Sequence, residues 1–146
     1  MGLMKTKAIS SIFVLFAIAA GMASMAPAAF ADHAEVSIGA VEESGFSQSC
    51  VEAGCYTPSV ATVDVGGVVT MTNTDPTGVH TFTSGTVDGF APSPDGMFDS
   101  QVLMTGDAYE RKFSQKGTFD YYCMLHTWMT GQIIVEWFLK LFTKFK

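Results

Sequence analysis

The sequence is poor in the residues that mark several functional classes. It has only 3 histidines, none in a His-x-His pair. That leaves no spare imidazoles for the clustered sites of a multicopper oxidase. Basic residues are few, 8 against 14 acidic ones. Nucleic-acid binders carry basic stripes, so that partner class is excluded. Only 3 cysteines occur, which rules out a dense disulfide framework. Helical periodicity is absent between residues 32 and 136, and no internal repeat is present.

Long apolar runs are also missing, with one partial exception. Lys5 and Lys7 precede the apolar segment Ala8–Ala20, and small residues lead to Ala29-Phe30-Ala31. The segment is short for a membrane span, which needs roughly 20 residues. A basic start, an apolar middle and an A-x-A end instead read as a signal peptide over residues 1–31. Cleavage before Asp32 leaves 115 residues, enough for one domain with one core. It removes two lysines and no acid, giving 6 basic and 14 acidic residues and a formal net charge of −8. Export to the periplasm or cell surface follows as an expectation.

Residues 32–136 read as all-β. Alternating or β-branched runs lie at Glu35–Val41, Val60–Val65, Val68–Asn73, Val79–Thr83, Tyr109–Phe113, Thr118–Cys123 and Gln132–Glu136. Turn signals separate them, including Gly66-Gly67, Asp75-Pro76 and Gly106-Asp107. Seven or eight short strands at this spacing predict a Greek-key sandwich or barrel. Ser84–Ser100 reads as the longest irregular stretch, with room for a small helix. The tail, residues 137–146, differs. At 100° per residue, Trp137, Phe138, Leu141, Phe142 and Phe145 share one face, and Lys140, Thr143, Lys144 and Lys146 the other. This predicts a short basic amphipathic helix suited to a membrane surface, a partner groove or a lid on the domain.

Export places the cysteines in an oxidising compartment. Cys50 and Cys55 flank four loop residues and are expected to form a disulfide. The alternatives are another pairing, which would consume Cys123, or a Cys50/Cys55 metal pair, for which no nearby histidine completes the set. Cys123 is then the odd thiol, and metal ligation accounts for it.

Cys123 opens the segment Cys123-Met124-Leu125-His126-Thr127-Trp128-Met129, spaced C-x-x-H-x-x-M. His80 lies 43 residues upstream. His33 sits near the expected new terminus, which leaves His80 as the second imidazole. One thiolate, two imidazoles and a weak thioether are the donor set of a mononuclear blue-copper site. Structural zinc uses Cys and His without thioether, and no acid lies close to the motif in sequence to serve a catalytic zinc. The candidate ligands are His80, Cys123, His126 and Met129, with Met129 as the weak axial donor.

Over about residues 35–136 the chain resembles the cupredoxins, small blue-copper proteins of the plastocyanin/amicyanin type. The resemblance rests on Asn73-Thr74-Asp75, on Val79-His80-Thr81-Phe82 and on Phe119-Asp120-Tyr121-Tyr122-Cys123-Met124-Leu125-His126-Thr127-Trp128-Met129-Thr130-Gly131. It implies a Greek-key β-sandwich holding one type 1 copper ion on the same four residues. It also implies one-electron transfer between redox partner proteins, with His126 presenting an edge through an apolar patch. A copper-binding module for storage, delivery or sensing is the alternative. Two positions depart from the family. Thr127 stands where short loops often have proline. Thr81 stands where many relatives have an asparagine that bonds the ligand sulfur, which leaves a backbone N–H for that task.

Overall fold

The computed structural model describes residues 33–137. The expected signal peptide, residues 1–31, lies outside this range, as does the expected C-terminal helix beyond Trp137. Among the described residues, no helix is long and apolar enough to cross a membrane.

Alternation of apolar and polar residues builds the strands. In β1 (Glu35–Ala40), Ile38 and Ala40 point inward, and in β4 (Val68–Thr72), Val69 and Met71 do. In β3 (Val60–Asp64) the inward residues are Ala61 and Val63, and in β9 (Thr130–Glu136) they are Ile133 and Val135. With β2 (Tyr56–Thr57), β5 (Thr83–Asp88), β6 (Ala91–Asp99), β7 (Ala108–Lys112) and β8 (Gly117–Tyr122), they make nine strands in two sheets. One sheet runs β2-β1-β4-β7 and the other β3-β9-β8-β5-β6. Both are mixed, because β1 pairs parallel with β4 and β3 pairs parallel with β9. Residues from both sheets share one core, including Ile38, Val69, Met71, Val63, Phe82, Phe113, Tyr121 and Ile133.

The count is nine strands, against the expected seven or eight. The difference lies in β2, too short to show alternation, and in Ser84–Ser100. That stretch is neither irregular nor helical. Its residues form most of β5 and all of β6, a hairpin turning at Gly89-Phe90. β6 is an edge strand, exposed along all its length except Phe98, and it carries Pro92 and Pro94. An edge strand tolerates proline and has no buried face to enforce alternation.

Val79–Thr83 is not a continuous strand. His80 makes only an isolated antiparallel bridge with Leu103, and β5 starts at Thr83. Side chains take the backbone donors that a ladder would use. The Phe82 amide donates to Ser100 Oγ at 2.9 Å, and the Thr81 amide faces Cys123 Sγ.

Cys50 and Cys55 are joined as a disulfide, with Cα atoms 4.8 Å apart, and Cys123 is the free cysteine. A short 3-10 turn, Gln48–Cys50, leads into the bridge. Gly131 faces Tyr121 across the β8–β9 pair, and the Tyr121 ring fills the space a Cβ would take. The small size of Gly131 therefore serves this close approach.

Candidate metal centre

Cys123 follows the last residue of β8 and is fully buried. The chain then folds back on itself in two tight turns. The His126 amide donates to the Cys123 carbonyl at 3.3 Å, and the Met129 amide donates to the His126 carbonyl at 2.9 Å. The Cys123 amide donates to the Met129 carbonyl at 3.0 Å, which closes the loop at the mouth of β8 and β9. His80 reaches the same point from the segment before β5. Its Nδ1 lies 4.0 Å from Cys123 Sγ, and His126 Nδ1 lies 3.5 Å from that sulfur. One donor atom from each of the three residues falls within 4.8 Å of the others. The two imidazole centroids are 5.1 Å apart. Met129 is fully buried in the core cluster beside this loop. His33 takes no part: it is exposed, and its backbone pairs with Asp64.

The electrostatics prepare the centre for a cation. Burial opposes ionisation of Cys123, but a bond to His80 and the amides of Thr81, Leu125 and His126 outweigh it. The thiol is held below its ordinary value. Burial likewise disfavours His80 as imidazolium, and its bonds to Cys123 and Asp75 reverse that, raising its pKa. His126 moves the other way, lowered by burial and then by the nearby His80 charge. The contact between Cys123 and His80 thus favours the charged form of each partner over its isolated state. A soft, borderline cation would displace the imidazole proton and take the thiolate directly. These donors fit copper, since thiolate and imidazole together suit both of its oxidation states.

The surroundings contain residues to which the sequence assigned no role of their own. Asp75, fully buried, receives His80 Nε2 on Oδ2 at 2.8 Å. Its Oδ1 accepts from the Glu43 amide at 3.1 Å, the Thr77 amide at 2.9 Å and the Thr77 hydroxyl at 2.7 Å. Burial works against the Asp75 carboxylate, but these bonds win and hold its pKa well below the usual carboxylate range. Asn73 braces the turn: its Oδ1 accepts from the Asp75 amide at 3.0 Å, and its Nδ2 donates to the carbonyls of Gly78 and Leu103, both at 2.9 Å. Asn73 and Asp75 stand in the sequence as polar residues just before the His80 segment, a pattern shared with any Asx turn.

A cap covers the centre. The turn Val41–Ser47 is drawn over it by Trp128, whose Nε1 donates to the Ser44 carbonyl. A Cβ on Gly45 would lie 2.9 Å from His126 Cε1 and 3.3 Å from His80 Cε1. The backbone therefore packs against both imidazoles, and only glycine permits that approach. Around the half-buried His126, Phe46, Met104, Met124 and Leu125 are exposed. The Thr81 amide points at Cys123 Sγ at 3.4 Å, which supplies the backbone donor expected in place of an asparagine side chain.

Comparison with known proteins agrees with this geometry. Residues 48–136 match the model of the copper binding proteins, plastocyanin/azurin family. Amicyanin-alpha of Methylorubrum extorquens is 37% identical over 82 residues, which are 55% of this chain and 62% of that protein. The match thus spans less than two thirds of that relative's length. Among solved structures, a purple cupredoxin from Nitrosopumilus maritimus superimposes with a TM-score of 0.59 at 32% identity, over 68% of this chain and 98% of that one. A copper-containing nitrite reductase from Thermus scotoductus also matches, with a TM-score of 0.49 at 27% identity, over 69% of this chain and 22% of that one. With more than half of its length matched by the family model and donor atoms of His80, Cys123 and His126 gathered at one point, the chain belongs to the plastocyanin/azurin family of copper binding proteins, and its cofactor is copper.

Proposed function

We propose that this protein is an extracytoplasmic one-electron carrier with a single type 1 copper site on His80, Cys123, His126 and Met129. The observation that carries the reading is the convergence of one donor atom each from Cys123, His80 and His126 within 4.8 Å, with the two Nδ1 atoms 4.0 and 3.5 Å from the sulfur. Bound copper supplies the Cu(I)/Cu(II) couple there. Cys123 would hold it as a thiolate, the donor most strongly coupled to copper, and His80, His126 and Met129 would complete the set of residues around it.

The protein's own groups limit rearrangement. The loop closed between Cys123 and Met129 fixes three of the four ligands relative to β8 and β9. The cap at Gly45 crowds both imidazoles, which disfavours an exogenous ligand and supports a carrier over an enzyme. The exposed apolar rim around His126 suits brief contact with a reductase donor and an oxidase or reductase acceptor. Export by residues 1–31 fits the Cys50–Cys55 disulfide, which persists in an oxidising compartment. The tail from Trp137 onward is proposed to hold the carrier near an anionic membrane surface.

The test is the visible and EPR spectrum of the Cu(II)-loaded protein beside His80→Ala and Met129→Ala. The expected result is an intense thiolate-to-copper band with small hyperfine splitting, lost in His80→Ala. A colourless protein, or an ordinary tetragonal Cu(II) signal, would overturn the reading and favour copper storage or delivery.

A further inference from the structure

The four assigned ligands leave one buried, charged group at the centre without a role. Asp75 is fully enclosed, as is His80, and their contact is 2.8 Å. A carboxylate buried this deeply is strongly disfavoured unless it is bonded on both oxygens. Both oxygens of Asp75 are bonded, but to different ends. Oδ1 collects three donors from the turn and the cap, and Oδ2 is reserved for His80.

We propose that Asp75 is the positioning residue of the centre: its carboxylate fixes the His80 ring with Nε2 protonated and Nδ1 turned towards the metal, and ties that ring to the Glu43–Phe46 cap. The inference rests on the copper reading above. Asp75 acts as an acceptor throughout, with three donors on Oδ1, so in the 2.8 Å contact with Oδ2 it is His80 Nε2 that donates. Nδ1 is then the nitrogen left to bind the metal, and it is the atom that faces Cys123 Sγ. The negative charge behind the ring makes Nδ1 more basic and favours the more highly charged copper ion. Gly78 is part of the same device. A Cβ there would fall 2.8 Å from Asp75 Oδ2 and 3.0 Å from His80 Nε2, so the backbone packs directly against the Asp75–His80 contact. The Glu43 amide on Oδ1 links the pair to the cap, and Glu43 holds a positive φ of 59° there, uncommon for a residue with a side chain.

The experiment compares the copper-loaded full chain with Asp75→Asn and Thr77→Val. Thr77→Val removes a donor to Oδ1 and leaves the His80 contact and the charge in place. Removing a carboxylate partner of a ligand histidine changes metal affinity about 10- to 100-fold. Asp75→Asn is expected to weaken Cu(II) binding at least tenfold relative to Cu(I), which reads as a rise in reduction potential of about 59 mV per tenfold. Thr77→Val is expected to lower the melting temperature of the metal-free protein with a much smaller shift in potential. NMR of the ¹⁵N-labelled Cu(I) wild type provides a readout that needs no variant to fold: a slowly exchanging His80 Nε2 proton is expected. An unchanged potential in Asp75→Asn, equal shifts in both variants, or a missing Nε2 proton would overturn the positioning role while the thiolate-to-copper band persists. Absence of that band in the wild type would overturn the copper reading itself, and this role with it.

Discussion

Trp128 donates its indole N–H to the carbonyl of Ser44 at 2.9 Å, across 84 positions of sequence. This bond joins the ligand loop to the cap. Trp128→Phe keeps an aromatic ring beside His126, now 5.3 Å away between centroids, and deletes the bond. A cost of about 1 kcal/mol is expected in the metal-free protein. Amide exchange should quicken at Phe46 and Ser47, which bond to the Glu43 carbonyl, and stay slow in β8 and β9. Unchanged exchange at those two amides would show that the cap stands without Trp128.

The disulfide spans only five positions, so its effect on the unfolded chain is modest. Loop-closure entropy puts it at about 2 kcal/mol. Replacing Cys50 and Cys55 together by alanine should lower stability by roughly that amount, read from urea midpoints with and without reductant. The denatured, unreduced wild type should titrate as one free thiol, from Cys123. Three thiols would contradict the pairing.

Gly45→Ala tests the cap directly. Its new methyl would press on the Cε1 atoms of both His126 and His80. Overpacking of this kind costs about 1–3 kcal/mol. The visible and EPR spectra of the copper-loaded variant should change while far-UV circular dichroism does not. An unaltered spectrum would mean that the cap gives way without disturbing the imidazoles.

Two buried phenols should behave differently. Tyr56 donates to the Thr81 carbonyl at 2.6 Å, whereas the Tyr121 hydroxyl has no partner among the described residues. Tyr56→Phe should cost about 1 kcal/mol, and Tyr121→Phe should be close to neutral. Burial pushes both phenols upward, and for Tyr56 the neighbouring Cys123 adds to it. A raised folded value favours the protonated form. The stabilisation is therefore present below the unfolded value of about 10 and is lost as pH rises beyond it. Metal-free wild type should lose stability above that pH with a steeper slope than Tyr121→Phe, as urea midpoints across the alkaline range would show. Parallel slopes would contradict the burial of Tyr121.

Most strands were legible because one buried face enforces alternation, as Ile38 and Ala40 do in β1 and Ile133 and Val135 in β9. β6 was not, because its exposed, proline-bearing edge has no such face. The segment around His80 misled for another reason: its amides go to Cys123 Sγ and Ser100 Oγ, and a pattern of side chains does not reveal where amides point. The soft donors were legible because Cys123, His126 and Met129 crowd into seven residues. Asp75, Gly45 and Trp128 were not assigned roles. Their importance comes from which groups the fold brings against the imidazoles, and single residues in turns carry no mark of that.

The strand order carries a consequence for how the protein comes into being. β9, the last of the described strands in the chain, lies inside the five-stranded sheet, between β3 and β8. Until residues 130–136 are available, that sheet has a gap where Ile133 and Val135 belong. The ligand loop is anchored by the same strand, through the Met129 carbonyl on the Cys123 amide. Closing the sheet and assembling the donors are therefore one event. A chain threaded unfolded across a membrane would have no place for copper on the near side, so the compartment of arrival, rather than that of synthesis, would decide which metal it meets first.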